Sequence, residues 1–143
     1  MPIARRRLLL GLALPGAAQA QARYETPPRG SPLRQALLDA ARDPIATELG
    51  PPIEFAVSVL RTDGRHAYLQ ARPQRRGGQR IDWARTRYAR EWRAGMMSDM
   101  VMVLLGRSGA AWGWVEYAIG PTDVAWIDWA ARHRLPHALF EGP

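Results

Sequence analysis

The run Met100-Val-Met-Val-Leu-Leu105 is apolar at every position, so neither of its two alternating faces can point at water. A strand of this kind is central, buried from both sides or covered by a neighbouring element, and the chain must supply that cover. Ser108-Gly109 reads as a turn, after which Ala111–Ile119 forms the next strand. Simple alternation puts Val115, Tyr117 and Ile119 on one face of it, and Trp112, Trp114 and Glu116 on the other. Gly120-Pro121 breaks this strand. Thr122 or Asp123 then caps a short helix over Val124–His133, whose last turn carries Arg132, His133 and Arg134, cations suited to the negative end of the helix dipole. Leu135-Pro136 ends that helix, and the apolar tail through Phe140 is expected to dock.

Upstream, Ser31 is a good N-cap and Pro32 a good first helical residue. Leu33, Leu37, Ala41, Ile45 and Leu49 recur every fourth residue, which predicts a core-facing helix ending at Gly50-Pro51-Pro52. Pro44 either kinks it near Ala40–Arg42 or opens a second short helix behind Asp43. Ile53–Val59 alternates cleanly, with Ile53, Phe55, Val57 and Val59 on one face. Thr62-Asp63-Gly64 turns the chain, and Arg65–Arg72 alternates again, so the two segments form a hairpin. Trp83–Gly95 is ambiguous. As a helix capped by Asp82 it puts Ala84, Tyr88 and Trp92 on one face, and as a strand it aligns Trp83, Arg85 and Arg87; the tidier stripe favours the helix. The order helix, strand pair, crossing segment, strand pair, helix predicts an α+β fold. Its form is an antiparallel sheet of about four strands, curled in a cystatin-like or nuclear-transport-factor-like way, packed against the N-terminal helix and followed by a short C-terminal helix.

The first residues bear on compartment. Arg5-Arg6-Arg7, the short apolar run Leu8–Ala18 and the Ala18-Gln19-Ala20 site read as a signal peptide over residues 1–20, with a second cut possible at Ala22. The apolar run is about half the ~20 residues a membrane-spanning helix needs. Arg5-Arg6 before Leu8-Leu9 suits either the general or the twin-arginine export route. Residues 21–30, with Pro27-Pro28, read as a flexible lead-in, and residues 31–143 as a single domain, periplasmic or secreted. With no cysteine there is no disulfide framework. All 20 basic residues are arginine, as in proteins from G+C-rich genomes, and the formal net charge of +7 falls to +4 once Arg5, Arg6 and Arg7 leave with the leader. That mild charge, in an exported protein, argues against a nucleic-acid partner.

The segments Pro73-Gln74-Arg75, Ile81-Asp82-Trp83 and Gly120-Pro121-Thr122-Asp123-Val124-Ala125-Trp126 resemble a family of small exported bacterial proteins of unknown function. The resemblance spans roughly Leu33–Phe140 and implies no reaction, cofactor or catalytic residue.

Candidate contacts follow from residue chemistry. Arg72, Arg75, Arg76 and Arg80 surround Gly77-Gly78, a loop whose guanidinium forks and backbone amides suit an anion: a headgroup, a cell-wall carboxylate or an acidic partner. Trp112 and Trp114 make an aromatic platform if their face is uncovered. His66, Asp99, Glu116 and Asp123 are the polar groups that would serve a pocket between the first helix and the sheet. The three histidines show no ligand spacing, so no metal and no cofactor are expected. These features point to a non-enzymatic module that binds an envelope component or protein partner; the alternative is a small-ligand carrier or small enzyme using that pocket.

Overall fold

The computed structural model describes residues 23–141. The expected signal peptide and both of its candidate cleavage sites lie outside the described residues. The fold is α+β: helix α1 (Pro32–Leu49), strands β1 (Glu54–Thr62) and β2 (His66–Gln74), a short helix α2 (Ala89–Arg93), strands β3 (Val101–Ser108) and β4 (Ala111–Ile119), and helix α3 (Trp126–His133). The four strands form one antiparallel sheet in the order β1-β2-β3-β4, curled but not closed. No helix among the described residues is long and apolar enough to cross a membrane.

Ser31 caps α1 as expected, its Oγ accepting the Arg34 N–H at 3.2 Å, and Pro32 opens the first turn. The helix is one continuous element through Pro44, so the division into two helices does not occur. Its stripe Leu37, Ala41, Ile45 and Leu49 is buried against Leu69, Ala71, Val101, Val103 and Leu105. Side chains therefore occupy the space between helix and sheet.

The opposite face is covered by α3 and the C-terminal tail. Tyr68, Met102 and Leu104 point that way and meet Trp129, Ala130, Leu139 and Phe140. The tail docks, as its apolar residues predict: Phe140 stacks on Trp126 with centroids 5.2 Å apart and meets the Tyr68 ring edge-on at 5.0 Å. Helix α3 begins later than expected. Trp126 is its first residue, Ala125 occupies the cap position, and neither Thr122 nor Asp123 caps it; the chain enters through backbone bonds from Ala125 to Asp123 and from Ile127 to Val124. Gly120 makes the corner before it. Its φ is +66°, and a Cβ there would lie 2.5 Å from the Met97 Cε and 3.1 Å from the Ser98 carbonyl oxygen, so no larger residue fits without displacement.

Three further expectations are corrected. Residues from Glu25 onward are not a free lead-in: Glu25 bridges Thr62 through two backbone bonds of 2.9 Å, and Pro27 is buried. The segment Trp83–Gly95 is neither one helix nor a strand. A single 3-10 turn spans Trp83–Arg85, Asp82 makes no capping bond, and Thr86 is extended. The Thr86 hydroxyl donates to the Trp83 carbonyl at 2.8 Å and accepts the Tyr88 N–H at 3.1 Å, taking over backbone groups that a helix would have paired.

The third correction concerns sidedness. A β-bulge at Val115 shifts the β3–β4 register between Leu104 and Leu105. Trp114 opposes Leu105 of the α1-side core, whereas Glu116 opposes Leu104 of the α3-side core. Trp112 and Trp114 therefore share a face with Tyr117 and Ile119, and Glu116 lies on the other side. A matching bulge at Ser58 moves Val59 to the α3 side and brings Leu60 to the α1 side. Both bulges lie on edge strands, where the extra residue bends the sheet.

Candidate binding surface

The arginine loop leaves β2 at Gln74 and is fixed by Arg75. Helix α1 has no basic residue in its last turn, and its final carbonyls need donors. The Arg75 guanidinium supplies them, donating to the carbonyls of Leu49 (2.9 Å), Gly50 and Pro52 (3.2 Å). Arg75 is thus a capping residue, its guanidinium engaged by the end of α1.

The amides of the two glycines are also spoken for. Gly77 N–H donates to Glu54 Oε1 at 3.3 Å, and Gly78 N–H to the Arg75 carbonyl at 3.2 Å. The Arg75 N–H reaches the Gln79 carbonyl at 2.7 Å, and Gln74 bridges Arg80. Gly77 and Gly78 have φ of +73° and +79°, which lets the backbone fold back on itself in this way. The two glycine amides are therefore not free for an anion.

What the loop presents is Arg76 and Arg80, both exposed and without an ion-pair partner among the described residues. Arg72 lies beside them, its Nε 3.0 Å from Asp99 Oδ2. Arg72 and Arg80 border a cleft of about 60 Å³ floored by Ile81, Trp83 and Trp92. The two indoles are stacked with centroids 5.8 Å apart, which holds the floor in shape.

The second candidate surface is aromatic. Trp114 is 46% exposed, Trp112 is half-buried against the α1-side core, and the Trp114 ring meets Tyr117 edge-on at 5.2 Å. Beside it stands a cluster that residue-by-residue reading of the sequence does not find. Glu48, in the last turn of α1, accepts bonds from the Tyr117 hydroxyl (2.8 Å), the Tyr88 hydroxyl (3.1 Å) and Arg87 Nη1 (2.7 Å). The Tyr117 bond leads in holding the Glu48 carboxyl below its ordinary value. Burial first, and then the Glu48 carboxylate, push the Tyr88 phenol up to about 12. Both phenol hydroxyls are spent on the Glu48 carboxylate, and the cluster ties α1, β4 and the crossing segment together. A signal for it exists in the sequence: a carboxylate in the last turn of a helix faces the negative end of the dipole and calls for a partner.

The expected pocket groups do not converge. His66 opposes Gly106 at one end of the β2–β3 pair, while Asp99 precedes β3 beyond the other end, a separation on the order of 20 Å along the strands. The His66 backbone is held by the hairpin turn, its N–H donating to Asp63 Oδ1 at 2.8 Å. Asp99 pairs with Arg72, Glu116 pairs with Arg132 and His133 of α3, and Asp123 is exposed. Among the described residues no group of three His, Cys, Asp or Glu side chains is arranged to hold a metal ion. No family model, curated protein or solved structure matches the chain.

Proposed function

We propose that the protein is an exported, non-enzymatic module that binds an anionic envelope component or an acidic protein partner through Arg76 and Arg80, with Arg72 at their side. The observation that carries this reading is the contrast within one loop. Arg75 and the glycine amides are spent on fixing the backbone, while Arg76 and Arg80 are exposed with no carboxylate partner among the described residues. A loop already ordered loses little conformational freedom on binding, so more of its charge attraction appears as affinity. The alternative of a small enzyme or carrier finds less support, because the layer beneath the α1 stripe is filled, the four candidate pocket groups lie apart, and none of them lines the open groove that remains between α1 and the edge strand β1.

The double variant Arg76→Ala/Arg80→Ala tests the reading. Wild-type protein should be retained on isolated bacterial envelope fragments at low salt and released as salt screens the contact. The variant should be retained several-fold less while keeping its fold by circular dichroism. Retention that is equal in both and insensitive to salt would remove the loop as the contact.

A second surface has an observation of its own: the bulge at Val115 places Trp112 and the exposed Trp114 together beside Tyr117. Trp114→Ala should weaken binding if this patch contributes, and leave it unchanged if the arginines act alone.

A further inference from the structure

Strand β1 is an edge of the sheet, and among the described residues its outer side is bridged only at Thr62. Thr62 directs its N–H and C=O away from β2, toward Glu25. Its partner Ala67, and with it Leu69, Ala71 and Pro73, must then direct their backbone groups to the β3 side. The β2–β3 pairing ends at Ala71, so Pro73 sits where a missing N–H costs no ladder bond. On β1 the same alternation turns the N–H and C=O of Leu60, Val57 and Phe55 outward. Among the described residues, only Thr62 of this set has a backbone partner on that side.

The segment after Glu25 starts a fifth strand and does not continue it. Pro27 and Pro28 have no N–H to give, and the chain leaves to begin α1. Between β1 on one side and this segment and the first half of α1 on the other lies a groove with two adjoining volumes of about 310 Å³ and 570 Å³, which share Arg29, Arg34, Val57 and Ser58; Leu38 of α1 lines the larger one. Arg29 is exposed, Arg34 spans to the Pro27 carbonyl at 3.1 Å, and Arg72 closes the far end. The groove thus joins an unpaired strand edge to arginines on both of its sides.

We infer that this groove binds an extended acidic peptide segment of a partner protein, added as a strand to β1. Backbone bonds at Phe55, Val57 and Leu60 would hold it, and its alternate carboxylates would meet Arg29, Arg34 and Arg72. The stretch Phe55–Leu60 is as long as about six residues of strand, some 20 Å. The bulge at Ser58 divides the edge into two short rungs, which suits a short peptide and works against the flat edge-to-edge stacking of whole sheets. This site goes beyond the loop proposed above and shares only Arg72 with it.

The test is fluorescence anisotropy with the full chain and three labelled nine-residue peptides: alternating Glu and Val, alternating Lys and Val, and the Glu/Val peptide N-methylated at alternate residues. The Glu/Val peptide should bind, and the other two at least tenfold more weakly. Arg29→Ala/Arg34→Ala should weaken binding about tenfold. Val57→Pro should do the same, since it removes an outward N–H and no bond to β2. If Val57→Pro unfolds the chain, the N-methylated peptide alone still reads the backbone contribution. Arg76→Ala/Arg80→Ala should leave peptide affinity within twofold, which separates this site from the loop. Equal binding of the acidic and N-methylated peptides, or no binding of the acidic one, overturns the inference. So does a concentration-dependent dimer in sedimentation that Val57→Pro abolishes, because the edge would then belong to a second copy.

Discussion

The two faces of the sheet are covered by different means. On one face α1 lays down a regular aliphatic stripe, and buried residues from helix, sheet and the Ile81–Trp83 segment form a continuous cluster. On the other, the eight-residue α3 and the tail contribute a smaller cluster built on aromatic rings, with Glu116 joined to Arg132 and His133 at its margin. Aliphatic burial along a long helix is spread over many contacts. A short helix held by a few rings depends on each of them. The difference predicts that the α1 face carries the domain's cooperative stability and that the α3 face opens by itself.

Four experiments would break or sharpen this contrast. Leu69→Ala, at a fully buried position facing α1, should cost about 3 kcal/mol and lower the denaturant midpoint of the whole domain. Phe140→Ala, which removes the ring between Tyr68 and Trp126, should cost about 2 kcal/mol, the loss being limited by release of α3. Hydrogen exchange should then rise in α3 and the tail, with the α1 stripe still protected; a uniform rise would show that the two faces act as one unit.

Arg75→Ala should cost roughly 1.5 kcal/mol through the charge-assisted bonds it makes to the end of α1. Faster exchange at Gly50 and Gly77 together would confirm that one side chain orders both the helix end and the loop. The smallest effect should be electrostatic. Because folding lowers the Glu48 pKa, its contribution is complete above the ordinary value of 4.5 and fades as pH falls through the folded value. The Tyr88 pKa is raised, so its contribution is complete below 10.0 and is lost between there and about pH 12. Glu48→Gln should flatten the acid limb of a stability–pH curve; an unchanged limb would place the titrating groups elsewhere.

Much of the fold is legible in the sequence because the signals are periodic and local. The Leu37–Leu49 stripe, the Thr62-Asp63-Gly64 turn, the doubly apolar Val101–Leu105 and the docking tail all follow from spacing or composition. What is not legible depends on added residues or distant partners. A bulge leaves no mark in an alternating pattern, so the sides of Val59, Trp112 and Trp114 come out wrong. Thr86 is an ordinary helix residue on propensity, and its hydroxyl decides otherwise. Four neighbouring arginines look alike in sequence, yet Arg75 is set apart by the end of a helix more than twenty residues earlier in the chain. The scattering of His66, Asp99, Glu116 and Asp123 likewise appears only once strand order and register are known.

The bulge at Val115 sorts residues that plain alternation would keep together. Trp114 and Glu116 are two apart in the chain, yet the inserted residue puts them on opposite sides of the sheet. Deleting Val115 would keep Trp114 opposite Leu105 and Glu116 opposite Leu104, so both indoles would stay where they are; pairing the full-length strand without the bulge would instead carry them to the other surface. A one-residue gap at this point in an aligned relative is therefore compatible with the same aromatic patch.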